Sequence, residues 1–321
     1  NELIENFRVN KILAFRGLKQ QAIDTAEAGD IVSLAGMSKA TVADTIADQS
    51  VEDPIPAQPI DPPTITVTFG INDSPLAGRD GKKVQSRVIR DRLLKECESN
   101  VAIKMVDTPG GEAFDVSGRG ELQMGVLIEN MRREGFELSI SRPRVIYKDV
   151  DGVKNEPIEE VTIDVDEEFS GAVIEKLSSR KGEMVDLKSS GSGKTRIIAL
   201  VPSRGLIGYH SEFMTDTRGT GILNRVFHSW GPHKGSIAGR RQGVLISMEK
   251  GSSVAYAIFN LEERGKFFIG SGEEVYEGMI IGEHNRDNDL EINPLKGKKL
   301  TNIRASGNDE AVRLTPPTKL S

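Results

Sequence analysis

The pattern of apolar and polar residues changes at a proline-rich segment near residue 55. Before this segment, short apolar runs at 7–13, 29–34 and 41–46 predict strands. About 50 residues of strand are typical of part of a β-barrel rather than of a whole domain. Residues 52–63 contain five prolines in twelve positions, which excludes a helix or a central strand. We therefore predict a partial barrel over residues 1–55 and a stiff linker over 56–63.

Beyond the linker, strand and helix periods alternate. Met124, Leu127 and Met131 recur at helical spacing and predict an amphipathic helix, which Gly135 ends as a C-cap. The resulting βαββαβ order predicts a ferredoxin-like domain over 64–145. Its predicted elements are strands at 65–71, 101–105, 113–116 and 136–140 and helices at 83–98 and 119–134.

The same element order recurs and predicts a second ferredoxin-like domain over 146–235. Ser170 is the expected N-cap of its first helix. His210 lies on the apolar face predicted for its second helix, so we expect a core histidine there rather than a metal ligand. The predicted strands are 161–165, 183–187, 195–201 and 222–227, and the second helix includes residues 206–214.

The last third of the chain is rich in glycine and in short apolar runs. Runs at 243–247, 254–259, 266–269 and 279–281 predict strands. We predict a separate β-rich domain over 236–321, and hence a multidomain α+β fold with the partial barrel, two ferredoxin-like domains in tandem and this C-terminal domain.

Composition narrows the class of protein. The 321 residues carry a net charge of −6 and a single cysteine, Cys97, so no intrachain disulfide can form, which fits a reducing cytoplasm. No apolar run approaches the ~20 residues of a membrane span, and residues 1–13 do not have the pattern of a signal peptide. The sequence thus predicts a cytoplasmic protein that does not enter a membrane.

Charge is unevenly distributed along the chain. Residues 156–168 hold seven acids and no base, whereas residues 296–304 hold four bases and no acid. Such separation permits a basic binding face on an acidic molecule. Two solvated faces are the simpler explanation, and a protein-interaction module that uses the acidic 156–168 face is an alternative function.

The segment 188–195, KSSGSGKT, ends like a phosphate-binding P-loop. A P-loop requires glycine where Lys188 stands, and a helix directly after the loop. Here a β-branched run follows and Pro202 ends it, so a phosphate would lack a helix N-terminus. We predict a hairpin turn at this segment instead of a nucleotide site. An enzyme acting through this loop or through an unrecognised site is kept as an alternative.

No catalytic or metal centre emerges from the remaining residues. His228 and His233 lack the cysteine or paired carboxylate that would complete a zinc set. The surface chemistry that remains is bases mixed with amides and glycines, as around Arg264 and Lys266 and within 284–288. Lysine and arginine neutralise phosphates, while asparagine and serine reach sugar and base edges. This pattern suggests RNA contact, with solvated loops as the alternative.

Several motifs carry a resemblance to translational GTPases. VSGRGELQ (116–123) resembles the domain III signature of elongation factor G-like proteins, and VPSRGLIGY (201–209) with TRGTG (217–221) resembles their domain V. The last third is more specific. GRRQGVLISMEK, ERGKF, EVYEGM and GKKLTNIRASG, which begin at residues 239, 263, 274 and 297, are similar to the BipA/TypA family. The resemblance runs over essentially the whole chain.

This resemblance implies a domain map and a role. Residues 1–55 would be the latter part of the domain II barrel, 64–145 domain III, 146–235 domain V and 236–321 a family-specific RNA-binding domain. The family's G domain and its charged helical tail match nothing in the sequence, so we expect a C-terminal fragment that is not itself an enzyme. GTP and Mg²⁺ would bind in the G domain, and this chain would need no cofactor.

The expected partners are the large ribosomal subunit, the 70S ribosome, rRNA and A-site tRNA. We expect the protein to be a cytoplasmic monomer that acts in translation, subunit assembly and stress adaptation. By the resemblance, RNA contact is assigned to the loop 282–299 and to neighbouring bases. The expected RNA-binding residues are Arg240, Arg241, Lys266, Arg286, Asn288, Lys296, Lys298, Lys299 and Arg304.

Overall fold

The computed structural model describes residues 3–40, 44–51, 53–57, 61–189, 191, 193–237, 242–297 and 313–319. The fold is mixed α/β, with more sheet than helix. It divides into two compact units: residues 1–159 with 225–232, and residues 160–224 with 233–321. None of the helices in the described ranges is both long enough and apolar enough to cross a membrane.

The N-terminal residues form a three-stranded antiparallel sheet in the order β2-β1-β3. The sheet has little core of its own: Ala14 is buried, whereas Phe15, Leu18 and Ile31 are exposed. The strand expected at 7–13 begins only at Lys11, and the strand Lys19–Ile23 was not predicted. Of the strand expected at 41–46, residues 44–46 form no strand and residues 41–43 lie outside the described residues. The strands are β1 (Lys11–Arg16), β2 (Lys19–Ile23) and β3 (Val32–Ala35).

The next elements follow the predicted βαββαβ order, with strands arranged β5-β6-β4-β7 and β8 also pairing with β4. Alternate residues of β4 are buried, namely Ile65, Val67 and Phe69, and so are Leu93 of α1 and Met131 of α2. The elements are β4 (Ile65–Gly70), α1 (Ser86–Ser99), β5 (Lys104–Asp107), β6 (Ala113–Gly118), α2 (Glu121–Arg133), β7 (Ser139–Ile140) and β8 (Arg144–Val145).

Two strands of this unit are displaced from their predicted positions. The strand expected at 101–105 starts at Lys104, because a turn closed by the bond from Ile103 N to Asn100 O (3.0 Å) occupies its first residues. The strand expected at 136–140 is reduced to Ser139–Ile140. The first residues of the expected strand instead pair with Lys83: Phe136 lies beside it in a parallel bridge, and Glu137 N donates to Lys83 O at 3.3 Å.

The second set of elements is arranged in the strand order β11-β12-β10-β13, with β9 pairing with β10. Val161, Ile163 and Val165 alternate into a core that also buries Tyr209 and Phe213. The elements are β9 (Lys148–Val150), β10 (Val153–Asp166), α3 (Glu167–Ser179), β11 (Glu183–Ser189), β12 (Lys194–Pro202), α4 (Ser203–Leu206), α5 (Tyr209–Asp216) and β13 (Ile222–Pro232).

Three details here differ from the prediction. Ser170 is not an N-cap: α3 begins at Glu167, where two acids suit the helix N-terminus, and Ser170 Oγ donates to Glu167 O at 2.7 Å. The helix expected over 206–214 is two short helices, because Gly208 adopts φ 71° between them. His210 therefore falls outside the core and is exposed.

The C-terminal elements form a four-stranded sheet in the order β16-β18-β14-β19, in which β14 and β19 are parallel. Leu245, Ile258, Phe267 and Ile281 are among its buried core residues. The elements are β14 (Val244–Ser247), β15 (Gly251–Ser252), α6 (Ala255–Leu261), a 3₁₀ turn (Glu262–Arg264), β16 (Gly265–Phe267), β17 (Glu274–Val275), β18 (Ile280–His284) and β19 (Leu290–Ile292).

One of the predicted strands is wrong, because residues 254–259 enter helix α6. The run is apolar at every position, so its period does not separate a strand from a helix. Adjacent Ala257 and Ile258 are buried, while Tyr256 and Phe259 remain exposed. Burial of two consecutive residues, with two others three apart facing out, fits helical rather than strand geometry.

Candidate nucleic-acid interface

Four of the predicted RNA-binding residues can be placed in the structure: Lys266, Arg286, Asn288 and Lys296. All four are exposed. Within the described part of the chain, Lys266, Arg286 and Lys296 make no ion pair, so their charges face solvent. The other predicted residues lie outside the described residues: Arg240, Arg241, Lys298, Lys299 and Arg304.

Strand pairing brings Lys266 close to the start of the loop that carries Arg286. Strands β16 and β18 are antiparallel, with Lys266 opposite Glu283 and Gly265 opposite His284. The loop 285–289 leaves the end of β18 directly afterwards and leads into β19. The short loop therefore begins two residues after Glu283, the residue paired with Lys266.

Hydrogen bonds fix the conformation of this loop. His284 Nδ1 lies 2.6 Å from Asn288 O and, because a carbonyl can only accept, the imidazole carries the proton on Nδ1. The loop is also hydrogen-bonded to the beginning of β14. Gly243 N donates to Arg286 O at 2.6 Å, and Val244 N donates to Asp289 Oδ1 at 2.9 Å. These bonds hold both ends of the loop, which we call the clamped turn (285–289).

A third set of bonds joins the clamped turn to the 3₁₀ segment. Asn285 donates from its backbone N to Arg264 O and from Nδ2 to Glu263 O, both at 2.9 Å. The Asn285 side chain is thus used for structure, whereas the side chains of Arg286 and Asn288 remain exposed, and Asn288 Nδ2 donates to Asp289 O at 3.3 Å. The turn presents a guanidinium and an amide from a fixed backbone.

Gly243 makes the close approach of strand and turn possible. A Cβ atom at this position would lie 1.9 Å from Asn288 O and 2.2 Å from Asn288 C. Real Cβ contacts with backbone atoms are not this short, so any side chain here would push the turn away from β14. Glycine is required by the approach of two backbone segments rather than by its own dihedral angles.

Lys296 follows the strand at the other edge of the sheet from Lys266. It follows β19, and the residues before it are held by the bonds from Val254 N to Pro294 O and from Leu295 N to Asn293 Oδ1, both 2.9 Å. Strands β16 and β19 are separated by three strand spacings, about 14 Å. The strand that carries Lys266 and the strand that precedes Lys296 are therefore not neighbours in the sheet.

Acidic side chains are interspersed with these bases. Glu283 faces Lys266 across the strand pair, and Asp287 lies between Arg286 and Asn288 in the clamped turn. The described part of this surface is therefore mixed in charge. Recognition here depends on where the unpaired bases are held, and net charge alone does not define the interface.

The sequence did not indicate the residues that shape the turn. His284 is buried, with a relative exposure of 4%, and Asp289 accepts from the backbone of another strand. Both roles depend on contacts between residues more than 40 positions apart in the chain or on burial, which a local pattern does not reveal. No pattern in the sequence indicates that His284 and Gly243 lie next to each other in the fold.

The acidic run 156–168 does not form one solvated face. It lies mainly in β10, where successive side chains alternate between the two sides of the sheet. Glu156 and Glu159 are buried, and Glu159 pairs with Arg225 at 3.6 Å. Asp164 accepts from both Nε and an Nη of Arg196, at 2.7 and 2.9 Å. Much of the acidity is thus used inside the protein.

The hairpin predicted at 188–195 is confirmed. Strands β11 and β12 are antiparallel neighbours, with Ser189 opposite Thr195. Gly191 and Gly193 take φ of 67° and 77°, which suits a turn; Ser190 and Ser192 lie outside the described residues. Among the residues that have been placed, no group of three or more His, Cys, Asp or Glu side chains could hold a metal ion.

Comparison with known proteins first gives the class. Residues 153–241, which include β10 to β13, match the family model of the elongation factor G C-terminus. The second set of elements is therefore a module of the translation-factor class. Residues 242–321, which carry the clamped turn and the C-terminal sheet, match the family model of the TypA/BipA C-terminal domain.

Whole-chain relatives agree with both matches. Proteins named large ribosomal subunit assembly factor BipA are 50% identical over 317 residues in Escherichia coli K12, 50% over 311 in Bacillus subtilis 168 and 51% over 315 in Haemophilus influenzae. These alignments cover 97–98% of this chain and 51–52% of each relative. The chain belongs to the TypA/BipA family, and it spans about half the length of the curated relatives it matches.

Proposed function

We propose that this chain is the ribosome-docking part of a BipA-type translation factor and that it acts in assembly of the large ribosomal subunit. The observation that carries the proposal is 50% identity, over nearly the whole chain, with proteins named large ribosomal subunit assembly factor BipA. In this proposal the chain binds rRNA on the large subunit and the 70S ribosome, and contacts A-site tRNA, as a cytoplasmic monomer that also acts in stress adaptation.

The domain arrangement supports a docking role. We assign residues 1–55 to a partial domain II barrel and 56–63 to a linker. Both βαββαβ sets have the strand order second-third-first-fourth, and we assign them as ferredoxin-like domains III (64–145) and V (146–235). Residues 236–321 would be the RNA-binding domain. No side chain of this chain is assigned a catalytic role.

GTP binding and hydrolysis are proposed for a G domain outside these 321 residues, with Mg²⁺ bound there as well. The segment 188–195 is not part of that chemistry, because β12 follows it where a phosphate site requires a helix. The chain would instead supply contacts whose strength depends on the state of the G domain.

The mechanism of RNA binding follows from the clamped turn. Arg286 and Lys266 are unpaired bases on connected backbone segments, so they can bind phosphates without first breaking an ion pair. The exposed amide of Asn288 is suited to a sugar hydroxyl or a base edge. Because the turn is already ordered by hydrogen bonds, little conformational entropy is lost on binding. Lys296 would bind a separate phosphate, and the remaining predicted residues would extend the contact.

Co-sedimentation with isolated large subunits tests the proposal. Wild-type chain and the triple variant K266E/R286E/K296E are compared at about 50 and about 200 mM salt, since phosphate contacts weaken steeply over this range. The matched control is K11E/K19E/K104E, which changes the net charge equally at three exposed lysines elsewhere in the chain. We expect salt-sensitive binding that the first variant loses and the control retains. Equal binding by all three proteins would refute the assignment of this surface.

The alternative of a protein-interaction module on the acidic run is not favoured, because Glu156 and Glu159 are buried. In the sedimentation experiment, a protein-interaction module on the acidic run would bind equally well with and without the K266E/R286E/K296E changes.

A further inference from the structure

A second basic surface lies in the first compact unit, within residues 79–92. This stretch carries six bases and two acids in a chain whose net charge is −6. It comprises the loop before α1 and the first half of that helix. The proposed function makes no use of it, and no motif of the sequence drew attention to it.

Only part of this charge is neutralised inside the protein. Arg90 binds Asp107 at 3.0 Å, and Arg92 binds Glu134 at 2.8 Å. Lys82, Lys83 and Arg87, which we call the basic corner, are exposed and form no ion pair with any residue that the structure describes. The three charges lie within six positions of one another, at the junction of the loop and the helix.

The backbone beneath the basic corner is held rigidly. The carboxylate of Glu137 accepts hydrogen bonds from the backbone N–H groups of Gly78 (2.8 Å), Asp80 (3.0 Å) and Gly81 (3.1 Å). Asn72 Nδ2 donates to the same carboxylate at 2.6 Å. These bonds, the first of them most strongly, hold the pKa of Glu137 below its usual value. Glu137 therefore remains an anionic anchor for the loop at neutral pH.

The two lysines are positioned individually as well. Lys82 N and Lys83 N both donate to Gly135 O at 3.1 Å. Lys83 Nζ lies 4.5 Å from the centroid of the Phe136 ring, over its face, and this ring is buried. The ammonium group is thereby fixed above the surface instead of sampling many rotamers.

The chemistry of the basic corner fits a polyanion better than a protein partner. Protein interfaces are organised around large apolar or aromatic anchors, and among the large apolar side chains of residues 79–92 only Val88 is exposed, at 36%. α1 also begins without a side-chain cap and without an acid in its first turn, although Arg87 stands there. Cations at a helix N-terminus oppose the helix dipole, so an external anion is the group that would relieve this arrangement.

We infer that Lys82, Lys83 and Arg87 form a second RNA-binding surface, which takes the phosphodiester backbone of structured RNA. Lysines act as point charges for phosphates without reading sequence. The Glu137 anchor holds them in place, so binding here is expected to depend on salt and to tolerate changes of RNA sequence. This surface belongs to a different compact unit from the clamped turn, and its existence does not depend on the function proposed for that turn.

The test uses the whole chain and a 20-base-pair RNA hairpin. Affinity is measured by fluorescence anisotropy across a salt series for wild type, for K82E/K83E and for the charge-matched control K19E/K104E. Each lost phosphate contact lowers the slope of log affinity against log salt by roughly 0.7–0.9. We expect K82E/K83E to lower the slope by about 1.5 and to weaken binding on the order of tenfold at low salt, with no change in the control. Equal affinities for K82E/K83E and the control would overturn the inference.

Lysine acetylation read by mass spectrometry supplies an independent measurement. RNA should protect Lys82 and Lys83 from acetylation, while Lys104 of the same βαββαβ set stays reactive. Unprotected Lys82 and Lys83 in the presence of bound RNA would overturn the inference. The K266E/R286E/K296E variant separates the two proposals: protection of the basic corner must persist in it, whether or not binding through the clamped turn exists.

Discussion

The Nδ1 atom of His284 and the backbone carbonyl of Asn288 are hydrogen-bonded at 2.6 Å, which closes the turn that presents Arg286. The imidazole is buried, and the bond joins it to the exposed turn. A histidine that touches no ligand thereby sets the conformation of a surface proposed to touch RNA.

Replacing His284 with alanine should weaken both folding and binding. Loss of the buried ring and of its hydrogen bond should lower the free energy of unfolding by about 2 kcal/mol. Ribosome binding should fall although no phosphate-binding charge is removed, because the turn loses its order. Chemical denaturation and co-sedimentation measure the two effects. His210→Ala is the control and should change stability by less than about 0.5 kcal/mol, since His210 is exposed. Unchanged binding by H284A, with faster amide exchange in 285–289, would show that turn order is irrelevant.

Gly243→Ala tests the contact between β14 and the clamped turn. The added methyl would stand 1.9 Å from Asn288 O, and the displacement it forces should destabilise the protein by about 2 kcal/mol or more. Differential scanning calorimetry is a suitable measurement. Gly297→Ala is the matched control, because a Cβ there meets nothing within 4 Å. Equal melting temperatures for the two variants would contradict the close approach.

Glu5 makes the N-terminal sheet sensitive to acid. Its carboxylate accepts from the backbone N–H groups of Ala40 (2.8 Å), Lys39 (2.7 Å) and Ser38 (3.1 Å). These bonds, with the one from Ala40 as the largest cause, lower the pKa of Glu5 from 4.5 to about 2. Since the folded pKa is below the unfolded one, its stabilisation is fully present above pH 4.5 and is lost as pH falls towards 2.

The carboxyl ¹³C shift of Glu5, followed by NMR between pH 6 and pH 1.5, measures this pKa directly. We expect a midpoint near 2 for Glu5, and the Glu5→Gln variant should lose the part of the acid sensitivity that this group supplies. A midpoint near 4.5 would mean that the bonds to residues 38–40 do not form in solution.

Gly125→Ala should stabilise the protein. Gly125 lies within helix α2, is exposed, and a Cβ at this position meets nothing within 4 Å. Alanine lowers the backbone entropy of the unfolded chain, so a gain of about 0.5–1 kcal/mol is expected. Thermal unfolding compared with Gly81→Ala gives the contrast, because a Cβ on Gly81 would lie 2.8 Å from Glu137 N and should destabilise. A lower melting temperature for G125A would contradict the prediction.

Long periodic segments were predictable from sequence. Met124, Leu127 and Met131 do share the buried face of α2, and Ile65, Val67 and Phe69 do alternate into the core. Such patterns are decided by the geometry of a single element. The run 254–259 was predicted to be a strand, but it enters a helix. An unbroken apolar run has no periodicity that separates the two, so the choice depends on packing against the rest of the domain.

The candidate site was predictable only in part. Lys266, Arg286, Asn288 and Lys296 are exposed as a binding role requires. Their roles in RNA contact stay predictions, as do those of the predicted residues outside the described ranges. What sequence could not give is the support beneath them: Asp289 and Gly243 act through contacts between segments more than 40 positions apart, and His284 acts from a buried position beside the turn. Glu137 is similar, because its partners lie 56–65 positions away along the chain.

The order of strands in the C-terminal sheet constrains when it can form during synthesis. Strand β14 is made first, yet both of its neighbours, β18 and β19, come more than 30 residues later, and β19 joins it in parallel. Pairings this distant in sequence close slowly. On a translating ribosome, β14 therefore has no sheet to enter until β18 has left the exit tunnel, and its other edge stays unpaired until β19 follows. The clamped turn, which joins β18 to β19, can be held in place only after both of these late strands have been made.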